Sequence, residues 1–168
     1  MPAKVLIGYA TKCGSTVEVA QAIGETLTQQ GIEVDIRPMR KIKSLAGCDA
    51  VILGSAIRMG SWLGEASNFV KRHQAELQAL PVAIFTVHML NADDSPESAA
   101  ARAAYTAPIH ALITPAAEAF FTGKIELASM SFLDRMISNA MQAADQDLRD
   151  WEAIAGWAGQ VGSVLTPA

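Results

Sequence analysis

Lys4 to Leu27, KVLIGYATKCGSTVEVAQAIGETL, reads as a strand, a turn and a helix in immediate succession. Val5, Leu6 and Ile7 form an unbroken apolar run, the pattern of a parallel strand covered on both faces. A turn bearing hydroxyls and a glycine follows: Thr11, Lys12, Cys13, Gly14, Ser15 and Thr16. Ser15 and Glu18 have the spacing of a capping box, which predicts a helix starting there. Val19, Ala20, Ile23 and Leu27 recur at helical spacing and are expected to pack back on the sheet. The start of such a helix offers backbone N–H groups without intrahelical acceptors, at the positive end of the dipole. With side-chain hydroxyls in the same turn, the unit suits a phosphate. A capped helix with no ligand is the plainer reading of the same residues.

Outward from this unit, strand and helix patterns alternate. Gly31 marks a helix stop, and Ile32 to Arg37 alternates apolar with charged residues as an edge strand does, up to Pro38. Ala50 to Gly54 is a second fully apolar run. Ser55 to Trp62, SAIRMGSW, is expected as the loop at its carboxyl end, and a helix from about Leu63 to Leu77 follows. Val82 to Val87 is a fourth strand, and His88 to Ser95 a polar loop. Ser95-Pro96-Glu97 signals the next helix, expected to end or kink before Pro108. Ala117 to Phe121 is short and apolar enough for a fifth strand. Residues 124–150 exceed the minimal repeat and read as a late insertion, within which Phe132, Leu133, Met136, Ile137 and Met141 form an amphipathic stripe. That stripe, Met130 to Met141, reads first as a helix covering the core and otherwise as a lid or partner surface. A last helix runs from about Trp151 to Leu165. Such alternation predicts an α/β fold with a parallel sheet. In the doubly wound order 2-1-3-4-5, Thr11–Thr16, Ser55–Trp62 and His88–Asn91 meet where the order reverses.

Composition narrows the classes. A length of 168 residues and an apolar fraction of 51% predict one folded domain over 1–168, not a disordered chain. The net charge of −4 gives no general attraction to nucleic acid or anionic lipid. Arg37, Arg40, Lys41 and Lys43 read as a solvated edge. The first strand begins by Lys4, which leaves no cleavable hydrophobic segment before it, and no apolar run reaches the length of a bilayer span. The two cysteines, Cys13 and Cys48, have neither metal nor redox spacing. His73, His88 and His110 are scattered, so no metal site is expected. A soluble, cytoplasmic protein without an integral membrane segment is the expectation; the oligomeric state is left open.

The turn lacks G-x-x-x-x-G-K-[ST], which argues against an ATP-type loop, and G-x-G-x-x-G, which argues against a dinucleotide fold. What stands there, T-x-C-G-x-T, resembles the phosphate turn of flavodoxins, which binds the terminal phosphate of FMN. Val51 to His73, VILGSAIRMGSWLGEASNFVKRH, is similar to the branch of the flavodoxin-domain family that includes the oxygen-independent, quinone-linked protoporphyrinogen oxidases. Pro81 to Leu90, the later SFLDRMISNAM and Asp150-Trp151-Glu152 resemble further segments of that branch. The resemblance spans nearly the whole chain. It implies a flavodoxin-like doubly wound five-stranded parallel sheet with helices on both faces, and noncovalent FMN. By position, Thr11, Lys12, Cys13, Gly14, Ser15 and Thr16 would hold the phosphate. Ser55, Ala56, Ile57, Arg58, Met59 and Gly60 would run along the ring, with Trp62 beside them. Thr86, Val87, His88, Met89, Leu90 and Asn91 would close its other side. Two residues depart from the pattern: Cys13 stands where a hydroxyl or carboxylate is usual, and Met59 where an aromatic ring is usual.

In a flavoprotein the ring supplies the redox chemistry and the protein sets position and electronics, so no triad is sought. Arg58 is the one catalytic candidate: a cation beside the ring's pyrimidine end would stabilise a reduced anionic flavin or grip a substrate carboxylate. A surface arginine is the equal alternative. Ser55 is expected to bond the flavin edge, or else it ends the strand. Trp62 is a stacking residue or a core anchor. Cys13 is read as a small packing residue, because a bound phosphate opposes its ionisation. His88 is read as satisfying a loop hydrogen bond rather than delivering a proton. Two functions of different class follow. One is an FMN-dependent oxidoreductase that oxidises a porphyrinogen-like small molecule with a quinone-type acceptor. The other is a flavodoxin-type electron carrier docking on redox partner proteins, which the net acidity favours. The same topology in a phosphoacceptor regulator needs acidic residues where Tyr9-Ala10 and Gly54-Ser55 stand, so that reading is set aside.

Overall fold

A computed structural model of the chain describes residues 2–12, 14–125 and 146–167. Cys13 and the predicted Met130–Met141 stripe, with the SFLDRMISNAM segment, lie outside the described residues. The strands are β1 (Lys4–Ala10), β2 (Glu33–Pro38), β3 (Ala50–Arg58), β4 (Ser61–Trp62), β5 (Val82–His88) and β6 (Ala117–Thr122). They form one sheet in the order β2-β1-β3-β5-β6, with β4 paired only to β3. Every pairing along that path is parallel. With β4 set aside as the return arm of a hairpin, this is the expected order 2-1-3-4-5. A separate antiparallel ladder joins β7 (Lys124–Ile125) to β8 (Gln146–Asp147).

The helices are α1 (Ser15–Gln29), α2 (Gly64–Arg72), α3 (Gln74–Ala79), α4 (Pro96–His110) and α5 (Trp151–Leu165). Alternation along each strand explains the unbroken apolar runs. Val5, Ile7, Ala50, Ile52, Ala83 and Phe85 point to the face covered by α1 and α5. Leu6, Val51, Leu53, Val82 and Ile84 point to the face covered by α2, α3 and α4. Helices thus cover both faces of the central strands, while Glu33, Asp35 and Arg37 of the edge strand β2 keep exposed side chains. Close approach sets one glycine: a Cβ on Gly54 would lie 2.0 Å from Phe85 Cζ, so the Phe85 ring occupies the volume a side chain would need.

Four local expectations need correction. The SAIRMGSW stretch is not a simple loop: β3 runs on to Arg58, turns through Met59 and Gly60, and returns as β4. The turn is possible because both residues adopt positive φ, 52° and 77°. The helix expected over Leu63–Leu77 is two helices that meet at His73. His73 leaves helical geometry there, stacks on Phe69 at 4.5 Å, and bonds Glu76 Oε1 through Nδ1 at 2.9 Å. The Ser15–Glu18 capping box does not form: the cap is Gly14, left-handed at φ 89°, with no side-chain bond to the helix. Finally, α4 continues through Pro108 to His110. The missing proline N–H costs little so near the helix end, and buried Ile109 holds the last turn against the core. The predicted cap of α4 is present, with Ser98 N–H donating to Ser95 Oγ at 3.1 Å.

Candidate functional site

The turn after β1 has the shape an anion needs. Gly14 N–H donates to Thr11 Oγ1 at 3.0 Å, which folds the turn and leaves the Thr11 hydroxyl hydrogen available to a ligand. The first intrahelical bond runs from Glu18 N–H to Gly14 C=O, so the N–H groups of Ser15, Thr16 and Val17 precede the helical ladder. Thr16 decides how the turn is to be understood. It is fully buried, and its Oγ1 has no hydrogen-bond partner. A buried hydroxyl left unpaired costs about 1–3 kcal/mol, a cost a structure tolerates where a ligand supplies the partner. Lys12 stands exposed at the turn's rim.

The β3–β4 hairpin forms the second wall. A cleft of about 440 Å³ lies between it and the turn, lined by Thr11, Lys12, Arg58, Met59, Trp62 and Leu63 with the start of α2. The hairpin is fixed from beneath. Trp62 is 3% exposed, and its indole N–H donates to the buried Thr86 Oγ1 at 2.9 Å. Ser55 Oγ accepts from Leu63 N–H at 3.1 Å and donates to Ala56 C=O at 2.8 Å. Both of these hydroxyl roles are internal, so Ser55 braces the hairpin and Trp62 is a core anchor. Ala56, Ile57 and Arg58 are half-buried. Met59, at the hairpin tip, is 95% exposed.

The third segment follows β5. Val87 and His88 are buried, Met89 is half-buried and Leu90 is 64% exposed. His88 Nδ1 bonds Leu90 C=O at 2.9 Å, as the loop-bond reading of the sequence expects. Burial is the main influence on its pKa, pushing it below the ordinary 6.5 against the opposing Leu90 bond, with the Arg102 charge adding to the fall. Asn91 has φ 59° and its Nδ2 donates to Tyr105 Oη at 2.6 Å. Arg102 Nη1 donates to the backbone carbonyls of Asn91 and Asp93. The loop is thus held by α4.

The three segments converge, as expected, at the carboxyl edge of the sheet. Turn and hairpin share the cleft. Hairpin and β5 share the Trp62–Thr86 bond. Turn and third loop meet at Gly123, where an added Cβ would stand 3.3 Å from Ser15 Oγ and 3.6 Å from Met89 Sδ. Against this geometry, the flavodoxin domain profile matches residues 6–150. The chain is a member of the flavodoxin domain family. Solved flavodoxins share its architecture: one from the domain Archaea superposes with a TM-score of 0.60 at 13% identity, covering 96% of this chain and 98% of that one. A Pseudomonas aeruginosa flavodoxin variant gives 0.58 at 14%, with the same 96% and 98% coverage. At these identities the likeness is one of fold.

In sequence, this flavodoxin-domain chain is 30% identical to the Escherichia coli K12 protein named protoporphyrinogen IX dehydrogenase [quinone]. That alignment runs over 89 residues, 52% of this chain and 49% of that protein. A Leishmania major protein of the same name is 29% identical over 139 residues, 80% of this chain and 60% of that one. The matched length is therefore about half to three fifths of these relatives. A flavodoxin fold implies a flavin, and the turn fits its phosphate: the orphaned Thr16 hydroxyl, the Thr11 hydroxyl and the N–H groups of the first turn are all donors. Among the described residues no group of three or more His, Cys, Asp or Glu is placed to hold a metal, and no helix is long and apolar enough to cross a membrane.

Sequence reasoning missed Arg102, Tyr105 and Gly123. Arg102 and Tyr105 sit three residues apart on one face of α4, a spacing that signals a shared neighbour. The neighbour itself is visible only in the fold. Nothing in the sequence marks Gly123 as the point where turn and third loop touch.

Proposed function

We propose that the chain binds FMN with its phosphate in the Thr11–Thr16 turn and its ring between the β3–β4 hairpin and the Thr86–Asn91 segment. The observation that carries this is the buried, unpartnered Thr16 hydroxyl in the first turn of α1, at the point where strand order reverses. Lys12 adds a cation at the rim. Gly14 keeps the turn open where a side chain would strain it. Met59 and Leu90 are the exposed apolar side chains flanking the ring position. Ala56, Ile57, Gly60, Val87 and Met89 shape its edges, and Arg58 supplies positive charge at the cleft. Ser55, Trp62 and His88 hold this wall in place from inside.

Bound FMN would supply two-electron acceptance from a reduced substrate and donation to an acceptor. The family relationship to protoporphyrinogen IX dehydrogenases supports a porphyrinogen-like substrate and a quinone-type acceptor. A second reading, an electron carrier for protein partners, draws support from the net charge of −4. Purified protein loaded with FMN under anaerobic conditions separates them. Bleaching of the visible flavin band by a porphyrinogen, restored by a quinone, supports the enzyme. A flavin that dithionite bleaches but no porphyrinogen reduces supports the carrier.

A further inference from the structure

Arg149 has no role in the site described above, yet it is an ion-paired arginine with a buried side chain next to it. Its side chain is 8% exposed. It pairs with Glu18 of the first turn of α1 and with Asp147, to which Nε donates at 2.9 Å and Nη2 at 2.7 Å. Its guanidinium also lies 4.7 Å from the centre of the Trp151 ring. The segment carrying it is tied down next to the turn. Leu148 N–H donates to Gly123 C=O at 3.0 Å, Thr122 Oγ1 donates to Leu148 C=O, and Gly123 abuts Ser15. Burying a guanidinium is costly unless its partners repay the lost hydration. Here the partners are Asp147, which takes the two hydrogen bonds, and Glu18, the one acidic side chain in the first turn of α1.

A carboxylate at that position ordinarily settles on the positive end of the helix. In a phosphate-binding turn it competes with the ligand for that same end. We propose that Arg149 is a positioning residue for phosphate recognition: it draws the Glu18 carboxylate aside and cancels its charge, leaving the mouth of α1 receptive to a dianion. This inference rests on the FMN reading above and adds to it a residue far along the chain from the turn.

The test compares FMN with riboflavin, which lacks the phosphate, by quenching of flavin fluorescence in wild type, R149M, E18Q and the double variant. R149M is expected to weaken FMN roughly three- to tenfold, with riboflavin unchanged. E18Q is expected to tighten FMN, and E18Q/R149M to recover most of the loss. A purely structural role would weaken both ligands together and would not be rescued by E18Q. That result, or an FMN preference that R149M leaves intact, overturns the assignment to Arg149. Should R149M fail to fold, E18Q alone decides: a raised preference for FMN supports the role, and an unchanged one overturns it. A wild-type protein with no preference for FMN over riboflavin overturns the reading of the turn itself.

Discussion

At the scale of single residues, Thr16 and His88 make opposite demands on the fold. Thr16 buries a hydroxyl with no partner, so removing the hydroxyl at constant volume relieves the free protein and harms the complex. T16V is expected to raise apoprotein stability by about 1 kcal/mol in urea melts and to weaken FMN about tenfold or more in titrations. A variant in which both fall together contradicts this role. The motif made Thr16 visible as a candidate. Its orphaned state was not legible, because it depends on the packing that seals it from water. Burial lowers the pKa of His88. The unfolded chain takes up a proton near pH 6.5 while the folded chain resists it, so stability is full above 6.5 and is lost as pH falls below. Melting temperatures at pH 7.5 and 5.5 should show that loss in wild type and a smaller one in H88Q.

At the scale of elements, the hairpin separates what the sequence tells from what it hides. Ala50 to Gly54 announced a strand. Its extension to Arg58 did not, since it depends on Met59 adopting a conformation that non-glycine residues seldom take. A two-residue turn with both residues at positive φ favours Asn-Gly. M59N should therefore stabilise the free protein, by about 0.5–1 kcal/mol, while removing an exposed thioether next to the cleft and weakening FMN. Thermal melts with and without FMN check both halves. The anchor beneath is sensitive in the other direction. W62F removes the donor to Thr86 Oγ1 and leaves a buried acceptor unpaired, at a cost of about 1–3 kcal/mol. The break between α2 and α3 at His73 was hidden for a similar reason: the apolar spacing runs through it without interruption.

At the scale of the whole molecule, the two covered faces were legible in the unbroken apolar runs, and the sheet order in the strand–helix alternation, the right-handed crossover and the resemblance of the first turn to flavodoxins. Each run of Val, Ile and Leu had to feed both sides at once. The fit of Phe85 over Gly54 was not legible, because the two residues are brought together by register alone. G54A should cost about 1–3 kcal/mol or more through overpacking, with partial recovery in G54A/F85L, read by urea denaturation. These features bring three loops together at the carboxyl edge of the sheet, where the Thr11–Thr16 turn is proposed to take the phosphate. The most direct test is a fluorescence titration of the apoprotein with FMN and, in parallel, with riboflavin. Two or more charge-assisted hydrogen bonds at the turn predict saturable quenching with FMN bound roughly a hundredfold more tightly than riboflavin. No quenching by FMN, or equal affinity for the two flavins, would contradict the account.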